Sequence, residues 1–236
     1  MPYGVCMNLN GILAASKDFY RAHKLEAWAK ALPQSIKLNK EAEAALGRAE
    51  KLGLTQVLVF PDFRTQMTSI TTVIAETALA PVPGIPVDPR FAKTYISDNW
   101  AKEPTGRVYQ TSNGLVSREQ GPYLLFYNLQ LLPKQTVGKK GNQIAKLFKD
   151  ENWDGFTSPE LLIAQRFWRE HATAQNVVLS SKELGKFYWV WVVDSGDKEN
   201  CCAAFYGLQG VGMYGCKIGS ANKQRGANVT IVIPLS

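Results

Sequence analysis

Seven consecutive residues, Phe187-Tyr188-Trp189-Val190-Trp191-Val192-Val193, carry no charge, no glycine and no proline. At a period of two, Phe187, Trp189, Trp191 and Val193 share one face, and Tyr188, Val190 and Val192 share the other. Both faces are apolar. The run therefore predicts a central strand covered on both sides, not an exposed edge.

The flanks of this strand are also legible. Thr157-Ser158-Pro159-Glu160 fits a capping box, with Glu160 reaching back to the cap. With Ser158 as the cap instead, Pro159 falls at the first helical position, where its missing N–H costs nothing. Either way a helix starts here. Leu161, Ala164 and Trp168 lie on one face with Leu162 beside them, and Arg166, Arg169 and Glu170 are expected to face water. Residues 194–200 read as a polar turn, and Cys201 to Tyr206 as a returning strand. The glycines between Gly207 and Gly219 make that stretch loop-like, with short strands and tight turns. Val229, Ile231 and Ile233 alternate with Thr230 and Val232 as a closing strand, ended by Pro234. Trp168, Trp189 and Trp191 are expected in the core. Tyr206, Gln209, Tyr214, Lys217, Asn222, Lys223 and Gln224 are the candidate contact residues, because they are expected in the glycine-rich loops before the last strand.

Earlier in the chain, Ser16 to Leu32 reads as one helix with the stripe Phe19, Ala22, Leu25, Trp28, Ala29 and Leu32, stopped by Pro33. Lys40 to Leu52 reads as a second, with Gly53 as a natural C-cap. Gln56 to Phe60 is a short buried strand and Pro122 to Tyr127 a strong one. Thr68 to Ala78 is a helical candidate, and the proline-rich Ala80 to Pro89 is an extended arm or linker. Lys134 to Asn142, with Gly138 and Gly141, is the best candidate for a flexible break. The expected division is a mixed α/β region over 1–133 and a second domain over 143–236 that either folds separately or packs with the first as one unit.

The order of the last third resembles the C-type lectin-like fold, in the branch shared by formylglycine-generating enzymes and related bacterial domains. The residues that carry the resemblance are Trp153 to Glu160, Tyr188-Trp189, Ala203-Ala204-Phe205-Tyr206-Gly207, and Arg225-Gly226 to Val229. The family's second arginine in the last strand is replaced by hydrophobic residues. The calcium-ligand pairs of sugar-binding lectins and the cysteine pair of the formylglycine-generating enzymes are not evident. The resemblance implies an α+β fold: an N-terminal helical or mixed region followed by a C-type lectin-like domain with a short twisted antiparallel sheet. It implies that strands 188–193 and 229–233 pair beside the Ser158 helix. It also implies a binding scaffold, one used by the variable proteins of diversity-generating retroelements.

Among 236 residues, the net charge of +7 permits attraction to nucleic acid or an acidic surface; its densest part is Lys134, Lys139, Lys140, Lys146 and Lys149. No apolar run approaches the roughly 18 to 20 residues of a membrane helix, and no secretory signal is recognisable, so no membrane span and a cytoplasmic location are expected. Cys6, Cys201, Cys202 and Cys216 do not have zinc-site spacing. They read as reduced thiols, with a disulfide from Cys201 or Cys202 to Cys216 across a hairpin as the alternative. His171 at a helix C-terminus has an ordinary electrostatic reason to be there. No nucleophile elbow, phosphate loop or dinucleotide fingerprint occurs, and no cofactor, metal site or catalytic residue is expected. The expectation is a non-catalytic binding protein with a protein or glycan partner. The alternatives are a basic nucleic-acid-associated protein and, further off, a thiol- or metal-dependent oxidase.

Overall fold

The computed structural model describes residues 8–62, 77, 121–129, 133–174, 188–197, 200–207, 210–217, 219 and 225–235; for 158, 171–174, 188–189, 194–197, 200–207 and 210–217 it describes the backbone alone. The helix expected over Thr68–Ala78 (Thr77 apart, which is helical and buried) and the proline-rich segment lie outside these residues, as do Phe187, Gln209 and 222–224. The fold is mixed helix and strand, compatible with the α+β class. The chain divides into two compact units. The first gathers the described residues within Met1–Thr68, Ser117–Asn128 and Thr230–Ser236, and the second those within Ser69–Val116 and Leu129–Val229.

In the first unit, Asn8 Oδ1 accepts from the Gly11 amide at 2.9 Å and starts α1 (Leu9–Ala22). Leu13, Ser16, Phe19 and Tyr20 form its buried face. The single helix expected over 16–32 is two: α1 stops, and α2 (Glu26–Ala31) begins after a break. The break is a Schellman turn in which Lys24 takes φ 59°. Lys24 N donates to Arg21 O at 3.3 Å, and Leu25 N to Tyr20 O at 2.8 Å. Ala22, placed in the expected stripe, is exposed. Further on, α3 (Lys40–Lys51) closes with the same turn at Gly53, φ 69°, as the C-cap reading expected.

Three strands form the sheet of this unit, in the order β1 (Gln56–Phe60), β2 (Tyr123–Tyr127) and β7 (Thr230–Pro234). All pairs are antiparallel, with Leu58 opposite Leu125 and Leu125 opposite Val232. Every residue of β2 is buried, as a middle strand with cover on both faces requires. β1 is an edge, and α1 covers it. The Val59 amide donates to Ser16 Oγ at 3.1 Å, and Tyr20 Oη donates to Val59 O at 2.7 Å. Two side chains thus satisfy an edge residue that would otherwise invite another strand.

In the second unit, α4 (Gly141–Glu151) buries Ile144, Ala145 and Phe148, and ends at Asn152 in the left-handed conformation, φ 52°. The stretch expected to break flexibly, 134–142, is pinned. Gly138 N donates to Arg225 O at 2.7 Å, and buried Thr136 Oγ1 accepts from the Ala227 amide at 3.1 Å. Glycine there serves a turn, not a hinge: Gly138 has φ 77°.

The capping box at Thr157 forms as read. Glu160 Oε2 accepts from the Thr157 amide at 2.8 Å, and Thr157 Oγ1 from the Glu160 amide at 3.4 Å. It opens α5 (Ser158–Ala174), which lies against β3, β4 and β5. Those strands are β3 (Tyr188–Asp197), β4 (Asn200–Gly207) and β5 (Gly210–Lys217). With β6 (Arg225–Gly226) they make a sheet of order β5-β4-β3-β6. The first three strands are antiparallel, and β6 is parallel to β3.

Further expectations are corrected here. Residues 194–197 continue β3 instead of turning, and Gly210–Lys217 is a full strand despite its glycines. The closing strand does not pair with 188–193. β7 pairs with β2, and Thr230–Ser236 groups with the first unit. Arg166 and Arg169 do not face water. They are buried, while Trp168 is only half-buried; Trp191 is in the core as expected.

Candidate functional site

The glycine at 155 sets the second unit's packing. A β-carbon there would stand 2.6 Å from Val193 Cγ1 and 2.8 Å from Phe148 Cε2. The chain can therefore pass between α4 and β3 only without a side chain. This closeness lets Val193 N donate to Phe156 O at 2.8 Å, tying the approach to α5 onto the central strand.

Along the other edge of β3, β6 pairs Arg225 with Trp189 and Gly226 with Val190. The Arg225 guanidinium carbon lies 4.6 Å from the centre of the Trp191 ring. Trp191 Nε1 donates to Lys139 O at 3.1 Å. The turn 133–140, the Trp-rich strand and the Arg-Gly segment therefore meet. Arg225 is buried, so the cation is held against the face of the indole and away from solvent, where such a contact is strongest. Neither this meeting nor the role of Thr136 was among the sequence expectations. A Trp strand and a later arginine carry no local sign that they touch.

The buried face of α5 holds a second polar group. Arg166 Nε donates to Glu170 Oε1 at 2.7 Å. Burial first, then the neighbouring Arg166, with Glu170 opposing, lower the Arg169 guanidinium to about 10. Glu160 is fully buried but is already committed to the cap.

The predicted contact residues divide as follows. Tyr206 is on β4, and Tyr214 and Lys217 are on β5, all in strands and not in loops. In register, Tyr214 stands opposite Ala203 and Lys217 opposite Asn200, while Tyr206 stands between Tyr188 and Val211. Gln209, Asn222, Lys223 and Gln224 lie outside the described residues. The hairpin therefore carries three of the seven candidates at spaced register positions. Asn228 is buried. Among the described residues, no group of three or more His, Cys, Asp or Glu could hold a metal ion, and no helix is long and apolar enough to cross a membrane.

No family model, no curated protein and no solved structure matches this chain.

Proposed function

We propose that the protein is a non-catalytic binding protein, with a C-type lectin-like scaffold in its second unit and a protein or glycan partner met by the surface between about residues 200 and 224. One observation carries the reading: Arg225-Gly226 and Trp189-Val190, far apart in sequence, lie side by side as β6 and β3. The returning strand Ala203–Gly207 lies on the opposite side of β3. Residues from three of the four stretches that carry the resemblance, Tyr188-Trp189, Ala203–Gly207 and Arg225-Gly226, thus fall in adjacent strands of one sheet. The closing strand does not share that sheet, so the support rests on Arg225-Gly226 and not on 229–233.

The test is a glycan array and a peptide-display screen, run with the full chain. A variant with Gln209, Lys217, Asn222, Lys223 and Gln224 all changed to alanine serves as control. The reading expects a ligand retained by the parent chain and lost by the variant, with the far-ultraviolet dichroism of both the same. A ligand held equally by both would overturn it.

A second reading has its own observation. Lys134, Lys140, Lys146 and Lys149 are exposed, and neither they nor Lys139 form an ion pair with another described residue. Exposed lysines free of such ion pairs, on the turn before α4 and on α4 beside Asp150 and Glu151, are groups that a polyanion such as a nucleic-acid backbone would meet. Electrophoretic mobility shift with labelled DNA and RNA tests this. Binding that weakens steeply with salt supports it, and no shift at low salt removes it.

A further inference from the structure

We infer that Cys201 and Cys216 form a redox-responsive cross-strand disulfide, because β4 and β5 place these two residues directly opposite each other in antiparallel register. The register runs without interruption from Asn200 opposite Lys217 to Gly207 opposite Gly210. A slip by one residue would break every pair in it. Directly opposed residues share a face of the sheet. Their α-carbons stand about 5.5 Å apart in a hydrogen-bonded pair and about 4.5 Å apart in the other kind. Both spacings fall inside the roughly 4.4–6.8 Å that a disulfide spans.

The register also discriminates between neighbours. Cys202 is opposite Gly215, on the other face from Cys201 and Cys216. Of the two pairings that the sequence leaves open, the backbone selects Cys201.

The position is one where a covalent tie has something to hold. Cys201 is opposite Ser195 on β3, and the β3–β4 register shifts on both sides of that pair. The ladder is therefore irregular where the hairpin's open end begins. A bond to Cys216 would fix β4 to β5 there, one register step from Lys217.

The chemistry is thiol–disulfide exchange with a small disulfide such as oxidised glutathione. One protein thiolate attacks a glutathione sulfur, forming a mixed disulfide and releasing one glutathione thiolate. The second protein thiolate attacks the mixed disulfide at the protein sulfur and releases the other glutathione. The protein loses two protons and two electrons, and the oxidant leaves as two molecules of reduced glutathione. A thiol reductant reverses the step.

The test uses the full chain, purified reduced, then exposed to oxidised glutathione at about pH 8. Free thiols are alkylated, and intact mass and digests are read. The expected product is a monomer that has lost two hydrogen atoms and alkylates at two fewer thiols, with residues 201–202 linked to 216. Because Cys201 and Cys202 are adjacent, variants decide between them: Cys202→Ser keeps the bond, and Cys201→Ser and Cys216→Ser lose it. Oxidation should raise the melting temperature by roughly 5 °C or more in the parent and not in Cys216→Ser. Glutathione adducts or linked dimers in place of the internal bond would overturn the inference. So would a bond that survives Cys201→Ser and is lost in Cys202→Ser.

Discussion

Arg225 lies with its guanidinium carbon 4.6 Å from the ring centre of Trp191, while the indole N–H of Trp191 donates to Lys139 O at 3.1 Å. One side chain thus joins three segments of the second unit: the ring holds the arginine of β6, and its edge holds the turn before α4. Trp191→Phe keeps an aromatic face but removes the donor and part of the ring. It is expected to destabilise the unit by about 2–3 kcal/mol. Arg225→Lys keeps the charge and loses the planar stack, and should be milder, about 1 kcal/mol. Arg225 has other interactions as well, so the pair's own share comes only from a double-mutant cycle. Urea unfolding of the four proteins should give a coupling of about 0.5–1.5 kcal/mol. Additive effects would mean that the contact carries no energy of its own.

Gly155 is expected to tolerate no side chain. An alanine methyl would overlap Val193 Cγ1 at 2.6 Å and Phe148 Cε2 at 2.8 Å, and both partners are buried and cannot swing into solvent. Gly155→Ala should destabilise by about 1–3 kcal/mol. Adding Val193→Ala removes one of the two overlaps. The double variant should therefore be less unstable than the sum of the singles, as denaturant midpoints would show. An additive result would mean that the backbone moves instead.

Local signals in the sequence were sound where their cause is local. The Thr157–Glu160 box closes as its spacing dictates, because both partners lie within one turn. Gly53 ends α3 for the same reason. Long-range facts were not legible. Arg166 and Arg169 sit in a polar pattern that reads as a solvent face, and their burial is set by tertiary packing that no local pattern announces. Residues 134–142 look like a linker by composition, yet Thr136 and Gly138 are bonded to residues about 90 positions away. The contact candidates were placed in loops because glycines weaken strands. An uninterrupted ladder with β4 keeps Gly210–Lys217 extended, so Tyr214 and Lys217 stand on a strand.

The two Schellman turns of the first unit allow a matched pair of substitutions with opposite signs. Lys24 holds φ 59° with a side chain, and Gly53 holds φ 69° without one. A side chain in this conformation costs about 1–2 kcal/mol, and glycine costs about 0.5–1 kcal/mol through the freedom of the unfolded chain. The strain is the larger effect. Lys24→Gly should therefore stabilise by about 0.5–1 kcal/mol, and Gly53→Ala should destabilise by a similar amount. No atom lies within 4 Å of a β-carbon built at Gly53, so packing does not cloud the comparison. Thermal melts of the two variants decide it. A loss of stability in Lys24→Gly would mean that the lysine side chain contributes something there beyond its backbone.

Tyr127 gives the first unit a defined response to alkali. It is fully buried at the end of β2, and burial holds its phenol well above the ordinary value near 10. The unfolded chain releases this proton near pH 10, and the folded chain keeps it. Above pH 10 the folded state thus binds the extra proton, so stability falls as pH rises. The slope is at most about 1.4 kcal/mol per pH unit from this group; below about pH 9 the group adds no slope. Arg169, lowered to about 10, has the opposite sign and belongs to the second unit. Tyr127→Phe cannot ionise, so its stability relative to the parent should be constant from pH 7 to about 9 and should tilt in its favour above about pH 10. Urea midpoints of parent and variant at each pH measure that difference. A difference that stays flat through about pH 11 would mean that the phenol ionises as readily in the folded chain as in the unfolded one.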